Sequence, residues 1–253
     1  MKVIYAVLVL MLSLDASSST PDAEEIQFLT SDSVKVFAYL YRGDAEKGAP
    51  LILLFHQAGS DARGEYGQLI GPLLDAGYQA LAIDQRVGGT RFGGVNQTLA
   101  AVGDTEYSYC DVYPDLEGAL LYAREQGFTG KIVAWGSSYS AALVFQLAAR
   151  QTGQIDAILA FSPGSGGPLA DCAPRLYSGN LSLPVLALRP LSEMDVPTVP
   201  PQLDRFRHDG HEVHVADPGV HGSSMLNAER VGASTDETWR VVLEFLDASL
   251  RNQ

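Results

Sequence analysis

Along this chain, short continuous apolar runs alternate with stretches in which apolar positions recur every three or four residues. Ile26 to Thr30 and Val34 to Tyr41 read as strands; the second alternates and is bounded by turn residues. Leu51 to Phe55, behind Pro50, is apolar at every position, the pattern of a strand buried on both faces. Glu65 to Ala76 sets Tyr66, Leu69, Ile70, Leu73 and Leu74 at helical spacing and stops at Gly77. Further strands are expected at Gln79 to Ile83, Lys131 to Trp135, Ile155 to Phe161, Leu183 to Leu188 and Glu212 to Ala216. Helices are expected at Pro114 to Gln126, Tyr139 to Arg150 and Thr238 to Leu250. A polar, glycine-rich stretch fills Asp84 to Gly103, and a loop rich in Gly and Pro follows Phe161. Strands that alternate with helices make right-handed βαβ units. The expectation is therefore an α/β fold: a mostly parallel sheet covered on both faces, opened by an antiparallel edge hairpin. No insertion is long enough to form a separate lid domain.

Composition narrows the function. A hydrophobic fraction of 46% against 19% charged residues supplies a sizeable core, which excludes a disordered chain. The net charge of −13 is repelled by phosphate backbones and anionic lipid, so neither nucleic acid nor an electrostatic membrane contact is an expected partner. The two cysteines, Cys110 and Cys172, form no Cys-x-x-Cys pair, which argues against structural zinc. With no metal-ligand set and no phosphate-cradling loop, no metal and no cofactor are expected.

The N-terminus reads differently from the rest. Met1-Lys2 precedes an apolar run from Val3 to Leu14 and then Asp15-Ala16-Ser17-Ser18-Ser19. That run is shorter than the roughly 20 residues a bilayer span needs. One positive charge, a short apolar stretch and small residues are the parts of a secretory signal peptide. Residues 1–19 are expected to be cleaved, after Ala16 or within the serines, leaving 20–253 as one domain, secreted or periplasmic. The competing reading is a buried strand or helix. In an oxidising compartment Cys110 and Cys172 are expected to pair rather than remain two separate thiols. A bridge between them would contribute about 3–4 kcal/mol through chain entropy.

The chemistry centres on Gly136-Ser137-Ser138-Tyr139-Ser140, set between an expected strand and an expected helix. It follows the Gly-x-Ser-x-Gly turn, with Ser140 in place of the last glycine. Small residues two before and two after the serine let the chain turn sharply, which lifts Ser138 above the sheet and aims a helix N-terminus at it. A hydroxyl needs a base, and the base an orienting carboxylate. After the 183–188 strand, Asp195 is the expected acid, with Glu193 as its rival on the same loop. Of the five histidines, His221 is the expected base, because its glycine-lined loop follows the last strand and can reach back over the sheet. His56 precedes the serine, and His208, His211 and His214 bracket the 212–216 strand. The oxyanion that forms on attack needs two backbone donors, expected to be Tyr139 N–H and Gln57 N–H from the loop after Phe55.

Together His56-Gln57-Ala58-Gly59-Ser60, Asp84-Gln85-Arg86, the Ser138 turn, Ser162-Pro163-Gly164 and the His221-Gly222 loop resemble the α/β-hydrolase superfamily, in its compact dienelactone-hydrolase-like branch. The resemblance covers nearly all of the chain after the signal segment. It implies an eight-stranded sheet, a Ser/Cys–Asp–His triad and hydrolysis of esters, lactones or related acyl bonds. Dienelactone hydrolases carry cysteine where this chain has Ser138, so their substrate is not implied. The expected function is that of an exported serine hydrolase acting on a small-molecule acyl substrate through an acyl-enzyme. The other readings are an inactive secreted binding protein on the same scaffold, or a peptidase. Arg86 and Arg91 border the same edge and could bind a substrate carboxylate, although Arg86 could equally pair internally with Asp84 or another acid. Without an inserted cap the site is expected to be shallow and suited to small acyl groups.

Overall fold

The computed structural model describes residues 21–43 and 48–251; the expected signal segment, 1–19, lies outside them. The strands are β1 (Glu24–Leu29), β2 (Lys35–Tyr41), β3 (Leu51–Phe55), β4 (Gln79–Asp84), β5 (Ile132–Ser137), β6 (Ala157–Phe161), β7 (Val185–Pro190) and β8 (Glu212–Ala216). They form one eight-stranded sheet in the order β1-β2-β4-β3-β5-β6-β7-β8. β1 and β2 make an antiparallel hairpin and β2 lies antiparallel to β4. From β4 to β8 every pairing is parallel, as the alternation of strands and helices predicts.

The helices are α1 (Ala62–Asp75), α2 (Gln97–Val102), α3 (Tyr113–Glu125), α4 (Tyr139–Arg150), α5 (Val199–His208), α6 (Ala228–Val231) and α7 (Asp236–Arg251). Helices α3, α4 and α5 bury Leu116, Leu143, Phe145, Leu203 and Phe206 against one face of the sheet. On the other face, α1 and α7 bury Tyr66, Leu69, Val242 and Leu246 against Trp135 and Phe161, whose rings stack at 4.5 Å. Strands β3, β4, β5, β6 and β7 are buried at every position, which is why they read as continuous apolar runs.

Three helices are not legible in the apolar pattern: α2, α5 and the short α6. Helix α2 lies within the polar stretch and is started by Asn96, whose side chain accepts from Leu99 N–H at 2.7 Å. Helix α5 starts at Val199-Pro200-Pro201, prolines that sit in its first turn, where backbone N–H groups have no intrahelical acceptor in any case. Among the described residues no helix is long and apolar enough to cross a membrane, and no separate lid covers the carboxyl edge of the sheet.

Candidate active site

Ser138 sits between the end of β5 and the start of α4 at φ 60°, ψ −116°, a strained conformation for a residue with a side chain. The turn is tight enough that a Cβ on Gly136 would lie 2.4 Å from the Ser140 carbonyl. Position 140 tolerates serine because the hydroxyl is put to use. Ser140 Oγ donates to the His56 carbonyl at 2.6 Å and accepts from Gln85 Nε2 at 2.8 Å, tying the turn to the loops after β3 and β4. Ser138 itself is half-buried, and its N–H and carbonyl are held by Phe161 and Gly164 of the neighbouring strand and loop.

The loop after β8 carries His221 to the same edge. Gly222 N–H donates to Ser162 Oγ at 3.0 Å and Ser223 N–H to Ser137 Oγ at 2.9 Å. Gly222 must be glycine here: its φ is +69°, and a Cβ would stand 2.4 Å from Ser137 Oγ. The backbone beside His221 is thus fastened to the residue beside Ser138. The imidazole is 46% exposed on its other side.

The acid at His221 is Glu193, not the expected Asp195. Glu193 Oε1 lies 2.5 Å from His221 Nδ1, whereas the Asp195 side chain is exposed to solvent. The reason is local. β7 runs on to Pro190, two residues beyond its expected end, and a single 3-10 turn over Leu191–Glu193 swings Glu193 back over the edge. Burial alone would raise the Glu193 carboxyl, but the hydrogen bonds from His221 and Arg189 outweigh it and hold the group below the usual carboxylate range. An ionised Glu193 can only accept, so His221 Nδ1 carries the hydrogen between them, which makes Nε2 the lone-pair nitrogen whenever the ring is neutral. Arg189 donates to Glu193 Oε2 at 2.5 Å, to Gln202 Oε1 at 2.6 Å and to the Pro163 carbonyl. Ser162 Oγ adds a contact to Glu193 Oε1 at 3.2 Å.

Two further expectations are corrected. Gln57 N–H is already spent: it donates to Glu65 Oε2 at 2.7 Å. Glu65 reaches up from α1, wholly buried, and also receives Gln57 Nε2 at 3.3 Å and the Ser137 hydroxyl. Burial pushes its carboxyl up despite these bonds. Arg86 does not face a ligand either. It is 1% exposed, and Asp115 Oδ1 accepts from its Nε and Nη2 at 2.9 and 2.7 Å, while Asp32 Oδ2 accepts from Nη1 at 2.5 Å. The partners are thus Asp115 and Asp32; Asp84 instead accepts from Ala62 N–H and Gln97 N–H.

Arg91 is exposed, with its Nε 3.6 Å from the point where a Gly59 Cβ would lie, at the rim of the loop after β3. Tyr139 opens α4, so its N–H is one of the four at a helix start that lack an intrahelical acceptor. His56 is buried: its Nε2 accepts from Gln85 N–H at 3.0 Å and its Nδ1–H donates to the Gln57 carbonyl, so it is a neutral structural group. His211 is also buried, bonded to the Ser178 carbonyl beside Phe145 and Phe206. Cys110 and Cys172 form a disulfide, Cα atoms 5.7 Å apart, that joins the segment before α3 to the loop after β6.

Glu65, Ser137, Ser162 and Arg189 are the supporting residues that sequence reading did not find. A glutamate inside an apolar helical face and an arginine inside a buried strand were the available signals, since such groups are buried only with partners.

No protein-family model matches the chain. Among solved structures it is similar to an esterase of Pyrococcus furiosus (18% identical, TM-score 0.66, covering 90% of this chain and 91% of that one). It is similar also to a protein of Klebsiella pneumoniae assigned as a dienelactone hydrolase (18%, TM-score 0.65, 91% and 98%). A third likeness is to an acylaminoacyl peptidase of Pyrococcus horikoshii (16%, TM-score 0.68, 94% of this chain but 43% of that one). The fold is that of the α/β hydrolases. A curated relative, the quorum-quenching protein AidA of Acinetobacter baumannii, is 28% identical over 145 residues, which span 56% of this chain and 44% of that protein.

Proposed function

We propose that the protein is a serine hydrolase of carboxylic esters or related acyl bonds. The observation that carries this reading is the Glu193–His221 pair, with the His221 loop tied to Ser137 next to Ser138, and Ser138 in a strained turn at the mouth of a helix. In the mechanism, Ser138 Oγ attacks the acyl carbon as His221 Nε2 takes its proton. Glu193 holds the ring and offsets the positive charge that forms on it. The carbonyl oxygen becomes an oxyanion facing Tyr139 N–H and, with Gln57 N–H spent on Glu65, the next amide of that loop, Ala58 N–H. His221 returns the proton to the leaving group, and water, activated the same way, releases the acid from Ser138. Arg91, exposed at the rim of the loop after β3, is the residue we assign to a carboxylate on the substrate.

Export is part of the proposal. The N-terminal pattern of Met1 to Ser19 and the Cys110–Cys172 bridge both support an oxidising compartment. N-terminal sequencing of the mature protein tests it, and a start at Met1 would refute it.

A fluorophosphonate probe tests the nucleophile. Labelling is expected in the parent protein and lost in Ser138→Ala. Labelling that persists in that variant would mean another serine reacts, and no labelling of the parent would mean no hydrolase.

A further inference from the structure

Beyond the carboxyl ends of β6 and β7 lies a cavity of about 460 Å³. Its walls are Ala173 and Pro174 from the loop after β6, Pro197 and Thr198 ahead of α5, and Pro201 and Phe206 on α5 itself. Ser165 and Gln202 also line the cavity. Ser165 follows Gly164, whose N–H donates to the Ser138 carbonyl at 3.0 Å. Gln202 Nε2 lies 3.5 Å from the Gly164 carbonyl, and its Oε1 accepts from Arg189, the cation that holds Glu193. The cavity wall is therefore one residue removed from the backbone that touches Ser138, and it includes Gln202, a partner of the arginine that fixes the acid.

The lining selects a ligand type. Its apolar members are small or rigid, so the space is preformed, and its volume lies within the range of small-molecule sites. The Ser165 and Thr198 hydroxyls, 3.0 Å apart, share one hydrogen bond, which leaves a single hydroxyl hydrogen for solvent or a ligand. Arg205 Nε donates to both Asp209 oxygens at 2.9 and 2.8 Å, which offsets its charge, and Arg175 Nη2 donates to the Ala170 carbonyl at 3.4 Å; both arginines are exposed, so their remaining N–H groups are left for a polar end of the ligand. An aliphatic or aromatic group entering here would shed water against Pro174, Pro201 and Phe206.

We infer that this cavity receives an apolar arm of the substrate, so that the substrates are esters with an extended apolar arm rather than short ones such as acetate esters. The inference rests on the hydrolase reading above and revises the expectation of a shallow site for small acyl groups.

Two series of esters test it: nitrophenyl esters of lengthening acyl chain, and acetates of lengthening alcohol. In the parent protein kcat/KM is expected to rise with length in one series, which also says whether the acyl or the alcohol arm enters. Thr198→Trp and Pro201→Trp, both at exposed lining positions, are expected to lower the long-to-short ratio of kcat/KM about tenfold or more. A ratio unchanged in both series by both variants would overturn the inference. Octanol gives a reading that needs no turnover: it is expected to raise the Tm of the parent and of Ser138→Ala, and not of Pro201→Trp. If the fluorophosphonate fails to label the parent while octanol still discriminates the variant, the hydrolase reading falls and the cavity stands as an apolar site. If Ser138 is labelled and neither ratio nor Tm responds, the cavity assignment falls alone.

Discussion

Glu193 gives one carboxylate oxygen to His221 Nδ1 and the other to Arg189 Nη1, each at 2.5 Å, so a candidate base and a buried cation share a single acid. The sharing has a consequence for the chemistry. Arg189 keeps Glu193 ionised and immobile, so the imidazole faces an acceptor of fixed charge and orientation. Because the acid lies at the end of β7 and the base on the loop after β8, the pairing of those two strands sets their separation.

The two loop carboxylates should therefore behave differently. Glu193→Gln is expected to reduce kcat by two to four orders of magnitude (roughly 10²–10⁴) by disturbing the tautomer and charge at His221. Asp195→Asn is expected to change kcat by less than about twofold, since an exposed loop carboxylate contributes little. Steady-state kinetics on one ester decides it; the reverse ranking would reassign the acid to Asp195.

Glu65 holds the loop after β3 and the Ser138 turn to one buried carboxyl. Glu65→Leu would strand Gln57 N–H and the Ser137 hydroxyl, at about 1–3 kcal/mol for each buried group left unpaired. Glu65→Gln, which keeps an acceptor and a donor of the same length, is expected to recover most of the loss. Thermal melts and the rate of fluorophosphonate labelling measure both effects. Equal behaviour of the leucine and glutamine variants would mean that Glu65 acts only by filling space.

Burial lowers His56 to about 4 from an ordinary value of 6.5, against the opposing pull of its bond to the Gln57 carbonyl. Between those two values the unfolded chain binds a proton that the folded protein refuses. The stability tied to neutral His56 is thus fully present above about pH 6.5 and lost as the pH falls toward 4, by roughly 3 kcal/mol. NMR titration should show the His56 ring neutral at pH 5. A midpoint near 6.5 would show that its burial is not maintained in solution.

The Cys110–Cys172 bridge closes a span of 62 residues and anchors the loop after β6, part of which walls the cavity. Cys110→Ser is expected to cost about 4 kcal/mol, the chain-entropy value for such a loop. The parent in reductant should melt with the variant. A reductant-insensitive Tm in the parent would count against the bridge.

Much of this architecture could be read before any coordinates, for a physical reason. Strands buried on both faces of a parallel sheet need unbroken apolar runs, and Leu51–Phe55 and Ala157–Phe161 have them. The turn at Ser138 could be found because its geometry demands small residues at 136 and 140. Helix α5 escaped because Pro200 and Pro201 look like breakers unless one knows that they stand in a first turn.

Periodicity along the chain suffices for the alternating strands and helices, the motif of small residues for the Ser138 turn, and the loop after the last strand for the placing of His221, because these depend on local geometry and on which side chains tolerate burial. Tertiary structure decided the rest. That Glu193 rather than Asp195 meets His221, that Arg86 turns inward to Asp115 and Asp32, and that Glu65 takes the Gln57 amide all depend on which buried groups find partners across the sheet. Two carboxylates two residues apart are equivalent in the linear chain; a longer β7 and one turn of 3-10 helix put the first at the imidazole and leave the second in water.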